Sequence, residues 1–174
     1  MNLPRLTLVL GGANSGKSLF AERLVERAGV RPIYLATGRA YDAEMAAKIG
    51  LHIARRGERW QTVEAPLDLT GALQNVAPGT PVLVDCLTSW LSNHLIERGE
   101  TEAACSALLA DLPNWQSPVV IVSNEVGMGI VPDTPLGRQF RTAQGRINQD
   151  VAAKADLVVA VMAGLPLVLK GELP

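Results

Sequence analysis

Five short apolar runs punctuate the chain: Leu6–Leu10, Pro32–Thr37, Pro81–Asp85, Val119–Ser123 and Leu157–Val161. Runs of this length without polar alternation suit strands buried on both faces, as in parallel sheets. Pro81–Asp85, continuous and ending in an acid, is the best candidate for a central strand. Trp60–Glu64 reads as a further short extended piece, stopped by Pro66. Helical spacing fills the intervals. Leu19, Phe20, Leu24 and Val25 mark one face of a helix over Leu19–Arg27, with Gly29 as its stop. Asp42 is a good N-cap, with Glu44 favourable in the first turn, for a helix to about Arg56 on which Met45, Ile49 and Ile53 form one apolar row. Leu67–Val76 is a weaker helix closed by Ala77-Pro78-Gly79; Leu87–Ile96 and Thr101–Leu112 follow, broken near Gly99; Pro135–Lys154 is the longest. Strand and helix alternate throughout, which predicts an α/β fold with a largely parallel sheet between helix layers. No linker, repeat or low-complexity tract interrupts residues 1–174, so one domain is expected.

Composition narrows the field. Hydrophobic residues make up 48% of the 174, enough for a substantial core and against disorder. The balance of 16 basic and 17 acidic residues argues against a broad nucleic-acid surface, though not against a small phosphate site. Cys86 and Cys105 lack metal-ligand spacing and read as reduced thiols of a cytoplasmic protein. The longest apolar stretch, Leu157–Leu169, is broken by Gly164 and Pro166 and is too short for a membrane span. The first apolar run ends in glycines after a few residues, which makes a poor signal peptide.

Those glycines open the most informative stretch. Gly11-Gly12-Ala13-Asn14-Ser15-Gly16-Lys17-Ser18 reads G-x-x-x-x-G-K-S, the Walker A pattern, between an expected strand and an expected helix. Glycines let backbone N–H groups converge on one phosphate, and the helix presents its positive end to the same anion. Lys17 adds a full charge at the β- and γ-phosphates, and the Ser18 hydroxyl can hold Mg²⁺. Asp85 stands where a Walker B acid should, able to hold Mg²⁺ or to cap the helix after it. His52 has Lys48, Arg55 and Arg56 at helical spacing. Nearby cations keep an imidazole neutral and attract a triphosphate, so His52 is a candidate nucleophile; a structural or exposed histidine is the other reading. His94, at a polar helix end, reads as structural or exposed. Arg138 and Arg141, three apart, suit either phosphate binding or a solvated face. Glu64 alone is an edge acid. The loop Asn124–Thr134 exceeds the usual βα connection, a hint of function.

Several stretches together resemble one family. They are Gly11–Ser18, Tyr34–Thr37, Asp42–Met45 leading to His52 and Trp60, Val84-Asp85-Cys86-Leu87-Thr88, Ser123–Pro132 and Gly145–Gln149. Over nearly the whole chain they are similar to the bifunctional adenosylcobinamide kinase / adenosylcobinamide-phosphate guanylyltransferases of cobalamin biosynthesis, the run Asn124–Pro132 being far more specific than the Walker A loop. The resemblance implies a P-loop, RecA-like three-layer fold, assembled as a homo-oligomer (a dimer or trimer). It implies phosphorylation of the cobinamide aminopropanol hydroxyl by ATP or GTP, then transfer of GMP from GTP through a GMP–histidine intermediate, with a corrinoid as the partner substrate. By the same matching His52 is the nucleophile. The P-loop (Gly11, Gly12, Ala13, Asn14, Ser15, Gly16, Lys17, Ser18), Gly38, Arg39, Ala40, Ile53, Ala54, Arg55, Arg56, Glu64 and Asp85 line the GTP site, and Ser18 and Asp85 hold Mg²⁺. Asn14 departs from the arginine many members carry there, which leaves the backbone cradle intact with one cation fewer. Two rival readings share the Walker A loop: a small-molecule kinase without guanylyl transfer, and a nucleotide-dependent switch protein.

Overall fold

A computed structural model of the chain describes residues 2–39, 50 and 57–174. Apart from Gly50, the expected helix from Asp42 to Arg56 therefore lies outside the described residues, and so do Ala40, His52, Ile53, Ala54, Arg55 and Arg56. The elements are β1 (Leu6–Gly11), α1 (Lys17–Glu26), β2 (Ile33–Ala36), a 3-10 turn (Gly57–Arg59), β3 (Gln61–Glu64), α2 (Leu69–Gln74), β4 (Val82–Asp85), α3 (Leu87–Arg98), α4 (Glu102–Asp111), a second 3-10 turn (Leu112–Asn114), β5 (Val119–Asn124), α5 (Pro135–Lys154), β6 (Leu157–Met162) and β7 (Leu165–Lys170).

The strands form one sheet in the order β3-β2-β4-β5-β1-β6-β7. Every pairing from β3 to β6 is parallel, and β7 closes the edge antiparallel to β6. Alternate residues of each strand feed two cores, because successive side chains leave a strand on opposite faces. Leu8, Ile121 and Val158 pack with α2–α5, whereas their neighbours Val9, Val122 and Val159 pack with Ala21, Leu24 and Val25 of α1. The α/β expectation thus holds, with helices on both sides of the sheet. Full burial on both faces is the physical reason the strands carry unbroken apolar runs.

One expectation needs correction, and one strand was not expected. The helix after the glycine loop turns Ala21, Glu22, Leu24 and Val25 inward, and Leu19 stays exposed. No strand was expected after Val161, yet Leu165–Lys170 form the hairpin strand β7, all six residues of which are exposed. Pro166 is tolerated there because an edge strand has one side without a ladder to satisfy.

Candidate active site

Parallel pairing brings the C-terminal ends of β1, β2, β4 and β5 to one sheet edge. Gly11 is in register with Asn124, and Ala36 with both Asp85 and Glu64. Open α/β sheets gather ligands at that edge.

The glycine loop occupies its centre. Gly11 must lack a side chain, since a Cβ there would run into Ser15 Oγ and lie 2.7 Å from the Val161 carbonyl. Gly16 caps α1 with φ 93°, and a Cβ on it would sit 3.0 Å from Gly164 Cα. Asn14 has φ 54°, in the left-handed region that asparagine enters more readily than most residues. The asparagine therefore matches the backbone of this position. The loop is also clasped from outside: the Gly164 N–H, in the β6–β7 turn, donates to the Ser15 carbonyl at 2.8 Å. Lys17 Nζ donates to the Gly12 carbonyl at 2.9 Å, which folds the ammonium over its own loop. Burial lowers the Lys17 pKa, and Cys86 and Asp85 nearby work against that shift.

Asp85 ends β4 half-buried, and no described residue donates a hydrogen bond to its carboxylate. It does not cap α3. That task falls to Cys86, whose sulfur accepts from the Ser89 N–H at 3.4 Å. Burial, with Asp85 adding, holds the Cys86 thiol above its ordinary pKa. Arg39, beyond β2, is ion-paired with Glu97 of α3, and Gly38 lies beside it. Glu64 is exposed at the end of the edge strand β3. His94 is structural: buried, edge-on to Trp90 at 4.7 Å between ring centroids, its Nε2 3.2 Å from the Leu67 carbonyl.

Beneath these residues lies a polar framework that the sequence did not reveal. Thr37 Oγ1 donates to the Cys86 carbonyl (2.7 Å) and accepts from its N–H (2.8 Å), tying β2 to β4. Asn93 Nδ2 donates to the carbonyls of Thr37 and Pro66. The Asn124 N–H donates to Thr88 Oγ1 at 2.8 Å, tying β5 to α3. On the α5 side, Asn148 Oδ1 accepts from Ser123 Oγ (2.6 Å) and Gln144 Nε2 (2.9 Å), while its Nδ2 donates to the Asn124 carbonyl (3.1 Å).

The model of the family "Cobinamide kinase / cobinamide phosphate guanyltransferase" matches residues 7–169. The bifunctional adenosylcobalamin biosynthesis protein CobP of Pseudomonas aeruginosa is 42% identical over 168 residues, 95% of this chain and 97% of that one. CobU of Escherichia coli, described in the same words, is 37% identical over 181 residues, 95% and 99% of the two chains. Among solved structures, an ATPase from the type III secretion system of pathogenic bacteria matches with a TM-score of 0.59 at 12% identity, over 97% of this chain and 57% of its own. The flagellar accessory protein FlaH of Methanocaldococcus jannaschii matches at 0.54 and 12%, over 98% and 81%. The chain spans little more than half of that ATPase, and these two likenesses speak for the fold alone. The family match and the near full-length relatives place the chain in the cobinamide kinase / cobinamide phosphate guanyltransferase family, among the bifunctional enzymes of cobalamin biosynthesis.

Proposed function

We propose that this chain phosphorylates the aminopropanol hydroxyl of adenosylcobinamide with ATP or GTP and then transfers GMP from GTP onto that phosphate, giving adenosylcobinamide-GDP. The observation that carries this reading is the family match across residues 7–169, with the Walker A loop intact inside it. In the first reaction the Gly11–Ser18 cradle holds the nucleotide phosphates. Lys17 exchanges its bond to the Gly12 carbonyl for phosphate oxygens; the substrate hydroxyl oxygen attacks the γ-phosphorus, the bond from the γ-phosphorus to the β–γ bridging oxygen breaks, the nucleoside diphosphate leaves and the hydroxyl proton passes to solvent. In the second, the unprotonated nitrogen of His52 attacks the α-phosphorus of GTP. A phosphorus–nitrogen bond forms, the bond to the β-phosphate oxygen breaks, and pyrophosphate leaves. An oxygen of the corrinoid phosphate then displaces His52 and takes GMP. Gly38, Arg39, Ala40, Ile53, Ala54, Arg55, Arg56 and Glu64 line the nucleotide in this reading.

Ser18 and Asp85 would hold Mg²⁺. The donors suit a hard cation: a hydroxyl at the start of α1 and a carboxylate that no described residue bonds. No cluster of three or more metal-ligating side chains exists among the described residues, which accords with a magnesium ion that takes one or two protein oxygens and completes its shell with phosphate and water. When bound, the ion would offset charge on the departing phosphate oxygens. We further place the enzyme in the cytoplasm as a homo-oligomer. Both cysteines are free thiols, and no described helix is long and apolar enough to cross a membrane. The exposed strand β7, with Leu165, Leu167 and Leu169 each more than half exposed, is the face a second copy would cover.

The test uses GTP labelled at the α-phosphorus, denaturation and peptide mapping. Label is expected on the peptide that contains His52, labile in acid and stable in base, and lost in His52→Ala. Label elsewhere, or none during turnover, would leave a kinase without the guanylyl step.

A further inference from the structure

The loop Asn124–Thr134 and the outer side of α5 line an open cavity of about 680 Å³ that the reading above leaves unused. Arg138, Arg141 and Arg146 line it, along with Gly127 and Gln149. Two of the guanidinium groups also hold the loop. Arg138 Nη1 donates to the carbonyls of Pro132 (3.0 Å) and Asp133 (2.8 Å), and Arg141 Nη2 donates to the Gly127 carbonyl. Carbonyls occupy one nitrogen of each fork and neutralise no charge. Among the described residues none of the three arginines is ion-paired; Asp150, which lines the same cavity, is the one carboxylate there. The wall is therefore net cationic, with planar donors still free.

The loop adds a second character. Met128, Ile130 and Val131 are 88%, 96% and 59% exposed, large apolar side chains given to solvent on the same loop whose Gly127 and Val131 line the basic cavity. Isolated exposed apolar residues need no explanation, but a contiguous set beside converging cations does. The ligand that fits is amphipathic: a phosphate monoester carried on a bulky group with an apolar face. The loop's other end is fixed to the phosphate cradle, because the Glu125 N–H donates to the Gly11 carbonyl at 3.1 Å and Gly127 N–H to Glu125 Oε1 at 2.7 Å. One short segment thus joins the two places where phosphate would sit.

We infer that this cavity is the acceptor site for the guanylyl step, with Arg138 and Arg146 gripping the phosphate of the corrinoid and Met128, Ile130 and Val131 meeting the apolar face of its ring, inside the rim of amides. The inference rests on the function proposed above and assigns to it an acceptor subsite. Its test is steady-state kinetics of the full chain with adenosylcobinamide phosphate and GTP, and separately with adenosylcobinamide as kinase acceptor. Arg146→Gln and the double variant Arg138→Gln/Arg146→Gln are compared with the wild type. Loss of a charge-assisted contact to a phosphate should raise the KM for the phosphorylated acceptor about tenfold or more in the double variant. The KM for the unphosphorylated acceptor should move much less, and Arg138→Lys/Arg146→Lys should recover part of the loss. A purely structural role in holding the loop would shift both acceptors alike, and that result, or an unmoved KM in folded variants, overturns the assignment. A wild type that transfers no GMP to the corrinoid overturns the proposed function and this site with it.

Discussion

Asp85 ends an interior strand in register with Ala36, one residue before the cysteine that caps α3. Its carboxylate is therefore spared the capping role that the sequence left open beside metal binding. An aspartate that neither caps a helix nor accepts a hydrogen bond from a described residue, half-buried beside the phosphate loop, offers a carboxylate whose natural counterpart is a cation. Asp85→Asn preserves the shape and removes that charge. The Mg²⁺ concentration for half-maximal rate is expected to rise about tenfold or more, as for loss of a metal-orienting group, while GTP affinity in excess Mg²⁺ changes little. Titrating Mg²⁺ against rate checks this, and an unchanged requirement would free Asp85 of any metal role. Asn14 shows what one residue can and cannot disclose. Its identity raised a question of missing charge, whereas its φ of 54° ties the residue to the bend of the loop, which no reading of charge could find.

At the scale of elements, legibility follows burial. β1, β4, β5 and β6 are enclosed on both faces, so their sequences are continuous apolar runs and were readable as strands. β7 was not readable: Gly164 and Pro166 break its pattern, and its place at the sheet edge imposes no alternation. The framework around Asn148 was equally silent, because Ser, Asn and Gln ordinarily read as surface. Asn148 is 5% exposed and bridges Ser123, Gln144 and Asn124, so that α5 and the base of the Asn124–Thr134 loop are held together through one amide. Asn148→Ala leaves these buried groups short of partners, at a cost of roughly 2–4 kcal/mol. At about 2–4 °C per kcal/mol for a chain of this size, thermal unfolding should fall by roughly 5–15 °C. Differential scanning calorimetry measures it; a midpoint within a degree of the wild type would mean that the network contributes nothing net.

The whole molecule presents its phosphate loop and its bare edge strand as neighbours. The β6–β7 turn clasps the loop through Gly164, and β7 runs from that turn with Leu165, Leu167 and Leu169 facing out. An exposed, apolar, unpaired edge is a liability in a free monomer, and natural sheets usually blunt such edges with charge or cover them. Here the strand carries one charged residue, Lys170, at its far end. A second copy laid on β7, as proposed above, would remove the liability and would also steady the hairpin that holds the Ser15 carbonyl, so assembly and nucleotide binding should be coupled. Leu167→Lys places a charge in the middle of that face without touching the core, as Leu167 is 58% exposed. The wild type is expected to sediment as an oligomer at micromolar concentration. The variant should shift toward monomer, with unfolding little changed and GTP affinity weakened several-fold, because binding and assembly are linked through the same hairpin. Sedimentation velocity and GTP titration on the same samples decide the matter. A wild type that is monomeric and fully active would remove both the interface and the coupling. An oligomer that survives Leu167→Lys would place the interface away from β7.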